Sequence, residues 1–320
     1  MCSLYCPGPA GAGERPRNAV ILESYTPTTG TRAVTDTFVV ACIQSCAGAD
    51  VEANVAETAK LVRMAQRKGA QLICLPEFFS CLHLSESGME VGAAPEEHHP
   101  VLPRFRGLAK ELGAWILLGS LAVRAGSGKY RNRSFLLDTS GRIVARYDKL
   151  HLFDVDLAGG ERYRESDTFE PGSEAVLAPT PWGPLGLSVC YDLRFAYLYR
   201  ALARAGAKFL TVPAAFTKTT GKAHWHVLVR SRAIETGSYV FAPSQYGRHG
   251  KGQTYGHSLV VDPWGQVLAD GGEGPGFVMA EVDPAKVDEA RRMIPALGHD
   301  RPFIGPRTAG FDTVSGASAL

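Results

Sequence analysis

From Thr37 onward the chain alternates short apolar runs with longer stretches whose apolar positions recur every three to four residues. Residues 38–43 (Phe-Val-Val-Ala-Cys-Ile) read as a buried strand, 51–68 as an amphipathic helix and 72–75 as the next strand. That β-α-β opening is followed by a predicted helix at 101–112, strands at 115–121, 133–138 and 142–147, and a polar, Gly-rich stretch to about 173. A second round predicts strand 185–189, helix 195–205, strand 208–212, helix 222–235 and strand 238–243. Strands at 256–262, 266–269 and 276–282, separated by turns such as Asp262-Pro263-Trp264-Gly265, read as a hairpin that extends the sheet. The alternation defines an α/β class and one catalytic-sized domain over 37–300. Residues 1–36 are rich in Gly, Pro, Thr and Ala without a sustained period and read as a flexible N-terminal extension, and 301–320 as a C-terminal tail.

Composition narrows the partners. Of 320 residues 45% are hydrophobic, enough for a sizeable core. Lys and Arg number 34 against 32 for Asp and Glu, a net charge of +2 that gives no reason to expect a nucleic acid or an anionic membrane as partner. A small-molecule substrate fits better. The seven cysteines (2, 6, 42, 46, 74, 81 and 190) lack paired spacing, which points to a reducing compartment, and the cytoplasm is the expected location. Cys2 and Cys6 have no neighbouring Cys or His at metal-ligand spacing and read as unpaired exposed thiols.

Three segments carry unusual chemistry. Cys190 ends the apolar strand 185–189 and opens a predicted helix, a place where α/β enzymes present a nucleophile and where helix-start N–H groups favour a thiolate. Glu77 follows Pro76 and precedes two phenylalanines, a setting in which burial raises a carboxylate toward general-base range. Lys149 lies in Tyr-Asp-Lys-Leu-His-Leu-Phe-Asp, where an ammonium needs a negative partner such as Glu77. The alternative for each is plain: a buried structural cysteine, a capping glutamate, a snorkelling lysine. A Cys-His dyad with His151, His224 or His257 also stays open at this level. Gly-x-Ser-x-Gly, a phosphate-binding loop and a post-strand Gly-x-Gly-x-x-Gly are absent. His224 and His226 fall on opposite faces of the predicted helix, which argues against a metal shared between them.

Pro76-Glu77-Phe78-Phe79, residues 147–154 and Val189-Cys190-Tyr191-Asp192-Leu193-Arg194-Phe195, in this order, resemble the Glu-Lys-Cys signature of the nitrilase superfamily of carbon-nitrogen hydrolases. Residues 219–235 and 255–265 are similar to its Nit branch. The resemblance implies a four-layer α-β-β-α sandwich, commonly paired into a homodimer, with no metal or organic cofactor. It implies Glu77 as general base, Lys149 and the N–H of Tyr191 as oxyanion donors, Cys190 as nucleophile, and Glu165 as a second glutamate, with Glu161 the competing choice. It implies an amidase acting on the terminal amide of a small carboxylate such as deaminated glutathione or an ω-amide of a 2-oxo acid. N-carbamoyl hydrolase and nitrilase are alternatives within the superfamily, and a catalytically silent binding protein on the same fold is an alternative of another functional class. Arg194 is the first choice for a substrate carboxylate, with a structural pairing to Asp192 as the other reading. Two positions depart from the branch pattern: Ala196-Tyr197 stand where Pro-Glu is usual, and His226 stands where Glu is usual.

Overall fold

The computed structural model describes residues 37–86, 88–157 and 160–303. The predicted N-terminal extension with Cys2 and Cys6, and nearly all of the predicted tail, lie outside the described residues. In chain order the main strands are β1 (Phe38–Gln44), β2 (Leu72–Cys74), β3 (Trp115–Arg124), β4 (Tyr130–Leu137), β5 (Ile143–Asp148), β6 (Val176–Ala178), β7 (Leu185–Leu187), β8 (Phe209–Thr211), β9 (Tyr239–Ala242), β10 (Leu259–Val261), β11 (Val267–Asp270) and β12 (Gly276–Val282). They form two six-stranded sheets, ordered β12-β1-β2-β3-β4-β5 and β6-β7-β8-β9-β10-β11. The helices are α1 (Val51–Arg67), α2 (Val101–Leu112), α3 (Ala196–Arg204), α4 (Lys218–Thr236) and α5 (Ala285–Met293).

Period-two alternation assigns the layers. On β1, Phe38, Val40 and Cys42 pack with Leu187, Phe209 and Phe241 of the second sheet. The intervening Ala41 and Ile43 pack with Val62 of α1 and Phe105 of α2. Leu198 and Leu202 of α3 and Trp225 and Val229 of α4 join the second sheet's core. The result is a four-layer α-β-β-α sandwich. Each sheet has a parallel centre, β1-β2-β3 and β7-β8-β9, flanked by antiparallel strands. Parallel strands end together, so the loops after β2, β7, β8 and β9 can meet at one place, as open α/β sheets do at their carboxyl edges.

Several expected elements are corrected. The last three strands do not stay together: β10 and β11 extend the second sheet, whereas β12 pairs antiparallel with β1 in the first. The Cys190 strand does not run straight into an α-helix; Cys190–Arg194 form a 3-10 turn and α3 starts at Ala196. Helix α4 begins at Lys218, four residues early, because the Thr217 hydroxyl caps it by accepting from the Thr220 N–H. The polar stretch after 147 contains a hairpin, Asp154–Asp156 with Arg162–Arg164. The hairpin Tyr246–His249 with Gly252–Tyr255 and helix α5 were not expected. Among the described residues no helix is long and apolar enough to cross a membrane.

One glycine has a structural duty beside the functional segment. The β3–β4 register slips between Leu118 and Leu121, and a Cβ on Gly119 would lie 2.0 Å from the Leu75 carbonyl oxygen and 2.4 Å from that of Pro76. Next to it, the Ser120 hydroxyl accepts the Phe78 N–H, at a residue held at φ 51°. Close backbone approach thus sets the path of 75–78. Gly119→Ala is expected to lower stability by about 1–3 kcal/mol through overpacking, measured as a reduced urea midpoint. A wild-type midpoint would show that the segment shifts freely.

Candidate active site

The loop after β2, the end of β5, the 3-10 turn at Glu165 and the turn after β7 converge on one buried cluster. The Lys149 ammonium is 2% exposed and donates to Glu77 Oε1 at 3.0 Å and to Glu165 Oε1 and Oε2 at 3.0 and 2.8 Å. Glu77 Oε2 accepts the Ala215 N–H at 2.8 Å, and Glu165 Oε2 accepts the Phe153 N–H at 2.7 Å. The Cys190 thiol lies beside the Glu77 carboxylate and has Lys149 nearby. Glu165, not Glu161, is the second glutamate of the cluster. Glu161 instead accepts from Tyr163 and Thr219 hydroxyls.

Two residues that sequence reading missed hold this cluster. The Asn132 amide donates to Glu77 Oε1 at 2.9 Å and to Glu165 Oε1 at 3.1 Å, while its backbone carbonyl accepts the Lys149 N–H. Its flanking Arg131 and Arg133 face the other way, onto Asp148 and Glu170. A polar residue at the inward position of an alternating strand was the available signal. The Gln245 amide donates to the Glu77 carbonyl and accepts the Ala47 N–H, fixing the backbone that carries the carboxylate. Nothing in the local sequence marks Gln245.

Electrostatics follow from two carboxylates sharing one ammonium. Burial works against the Lys149 charge, but Glu165 and Glu77 outweigh it and hold the ammonium well above its usual range. Burial is the main cause that leaves Glu165 above the usual carboxylate range; Lys149 pulls it down and Glu77 pushes it further up. Burial and the adjacent Glu77 push the Cys190 thiol well up. Burial and the neighbouring carboxylate thus outweigh the helix-start N–H groups that favour a thiolate, and both favour a retained thiol proton. Transfer of that proton to Glu77 moves the negative charge to sulfur beside Lys149 without adding net charge to a buried site. Cys190 has φ 48°, in the left-handed region that costs a non-Gly residue about 1–3 kcal/mol.

Asp192 supports that turn. It is fully buried and accepts the Tyr147 hydroxyl at 2.6 Å, the Val189 N–H at 2.9 Å, and the His151 N–H and Nδ1 at 3.0 and 2.7 Å. One carboxylate thereby ties the β5 end bearing Lys149 to the turn bearing Cys190. The expected Asp192–Arg194 pairing is not formed. His151 stacks on Phe195 and meets the Tyr197 hydroxyl through Nε2, so Tyr197, where the branch pattern has Glu, completes this chain. His224 lies against Arg194, and His257 against Asp270, and none of the three histidines is placed against the thiol.

The cluster opens into a cavity of about 600 Å³ lined by Glu77, Lys149, Glu165, Cys190 and Tyr191 with Phe153, Phe216, Thr217, Gln253 and Thr254. Its other cations are Arg162 and Arg164. Arg164 is committed to Asp156 and two carbonyls, whereas Arg162 is 69% exposed and reaches Asp156 only at 3.5 Å. Arg194 does not line the cavity; its guanidinium lies over the Tyr191 and Phe216 rings.

A four-layer sandwich that buries a glutamate, a lysine and a cysteine at the meeting of its strand ends defines an enzyme class, hydrolases of carbon-nitrogen bonds other than peptide bonds. The profile of the family "Carbon-nitrogen hydrolase" matches residues 39–292, and the chain belongs to that family. The deaminated glutathione amidase of Yersinia enterocolitica is 38% identical over 266 residues, 82% of this chain and 92% of the relative. The crystal structure of the C. elegans NitFhit protein superposes with a TM-score of 0.76 at 36% identity, covering 83% of this chain and 66% of that one. An amidase from Nesterenkonia sp. superposes with a TM-score of 0.67 at 26% identity, covering 81% of this chain and 95% of that one.

Asp192→Ala leaves several buried donors without an acceptor, at about 1–3 kcal/mol each. A stability loss on the order of 3 kcal/mol or more in urea melts is expected, with Asp192→Asn losing less because it keeps one acceptor oxygen. Equal, near-zero losses would show that the turn is held by other contacts.

Proposed function

We propose that this chain is a cysteine amidase that hydrolyses the terminal amide of a small carboxylate compound of the deaminated-glutathione type. The observation that carries the reading is the Cys190 thiol buried beside the Glu77 carboxylate, which itself shares a buried ammonium with Glu165. A structural cysteine needs no such company. Cys42 and Cys74, buried in the apolar core, have none.

In this reading Glu77 takes the Cys190 proton as sulfur attacks the amide carbonyl. The oxyanion is stabilised by the Lys149 ammonium and the Tyr191 N–H, which no hydrogen bond uses among the described residues. Each such donor is worth about 3–4 kcal/mol where measured. Glu77 returns its proton to the departing nitrogen, ammonia leaves, and a thioester remains on Cys190. Glu77 then deprotonates a water that adds to the thioester, and collapse releases the acid and the thiol. Glu165 and Asn132 keep Lys149 and Glu77 in register throughout.

The substrate class rests on the relative at 38% identity that bears the name deaminated glutathione amidase, matched over most of both chains. A cavity of about 600 Å³ accommodates an acyclic peptide-like amide, and Arg162 on its wall, lightly engaged, suits a distal carboxylate better than Arg194.

Ammonia release is measured from deaminated glutathione, 2-oxoglutaramate, an N-carbamoyl amino acid and a simple nitrile. The amides are expected to turn over, with Cys190→Ala lowering the rate by roughly 10⁴-fold or more and Arg162→Ala raising KM for the carboxylate amide without a matching loss in kcat. Turnover of only the carbamoyl compound or the nitrile would move the chain to that activity. Silence across the panel would favour the binding-protein reading.

A further inference from the structure

Outside the catalytic cavity, three donors from three elements meet at the surface. His226 comes from the middle of α4, His257 from the loop before β10, and Asp270 from the end of β11. Asp270 Oδ2 lies 3.0 Å from His226 Nε2, and Asp270 Oδ1 lies 2.8 Å from His257 Nδ1. Ligand atoms of all three lie within 4.8 Å of one another. Among the described residues the ion-pair partners of Asp270 are these two imidazoles, with no Lys or Arg.

We propose that His226, His257 and Asp270 bind one divalent transition-metal ion of the Zn²⁺ or Co²⁺ type, with water completing the shell. Two imidazoles and one carboxylate suit these borderline ions rather than Mg²⁺ or Ca²⁺, which prefer all-oxygen sites. Bonds of about 2.0–2.2 Å in a tetrahedral shell separate ligand atoms by roughly 3.3 Å. Asp270 offers one oxygen to each imidazole, and rotations of these partly exposed side chains would bring the three donors around one ion in place of the present hydrogen bonds.

The donors are held from behind, as metal ligands are. Asp270 Oδ1 also accepts the Gly272 N–H at 2.9 Å, and the His257 N–H donates to the Gly272 carbonyl. Trp225 Nε1 donates to the His257 carbonyl at 2.7 Å, and the Tyr255 ring stacks on the His257 ring at 4.4 Å. His257 sits at φ 54°, in the left-handed region that few non-glycine residues occupy. All three side chains are partly exposed, which leaves an entry path.

An ion here would cross-link α4 to two other segments. The first turn of α4 carries Thr217 and Thr220, and the strand before His257 carries Gln253 and Thr254, all on the cavity wall. Occupancy would therefore stiffen one side of the catalytic cavity without entering it. The site is independent of the amidase reading.

The full-length protein, stripped with a chelator, is equilibrated with Zn²⁺, desalted and assayed for bound zinc, and its melting temperature is followed with Zn²⁺ and with Mg²⁺. Wild type is expected to retain one more equivalent than His226→Gln or Asp270→Asn, with at least ten-fold weaker binding in each variant. Zn²⁺, not Mg²⁺, should raise the melting temperature of wild type alone. Zinc held by thiols contributes equally to all three proteins and cancels in the difference. His226→Gln should keep the ammonia-release rate of stripped wild type, and its zinc content decides the case if Asp270→Asn does not fold. Equal zinc content and equal thermal response in wild type and His226→Gln would overturn the proposal and leave a proton-bridged cluster.

Discussion

An ammonium with almost no contact with water is the constraint on which the rest of this molecule turns. Lys149 can be buried at the end of β5 only because Glu77 and Glu165 surround it. Removing one partner from such a buried arrangement typically costs about 3–5 kcal/mol. The two carboxylates in turn exceed the single positive charge, so the cluster needs further donors. Asn132, Ala215 and Phe153 supply them. Each donor comes from a different part of the chain, and the cluster thereby fixes the relative positions of the β2, β4, β5 and β8 ends.

The same imbalance sets the chemistry of Cys190. Burial and the adjacent Glu77 carboxylate hold the thiol well above its ordinary range. In the mechanism we propose, activation comes from proton transfer within the cluster. The strained φ at Cys190 and the fully satisfied Asp192 beneath it indicate where the fold holds that geometry in place. Asp192 links the lysine-bearing and cysteine-bearing segments through Tyr147 and His151, so Lys149 and Cys190 are positioned by one buried carboxylate.

Much of this was legible before any coordinates. The unbroken apolar run 38–43 reads as a buried strand, and the charged residues 77 and 149 stand out because their flanks are apolar. What escaped has physical reasons. Strand β12 looks like part of a local meander, but its pairing is set by β1, far away in the sequence, whose edge needs covering. The hairpin 246–255 lacks alternation because it forms a two-stranded ribbon apart from the main sheets. Asn132 and Gln245 are ordinary polar residues until tertiary packing seals them against Glu77. The same limit applies to His226: spacing along α4 separates it from His224 and says nothing of Asp270.

The most direct test of the central account is acid-quenched mass spectrometry of the wild-type protein during turnover of deaminated glutathione. The account predicts an acyl adduct on the peptide containing Cys190, formed in step with a first burst of ammonia and lost as the acid appears. Ammonia released with no adduct at any quench time, or an adduct on a different residue, would contradict it.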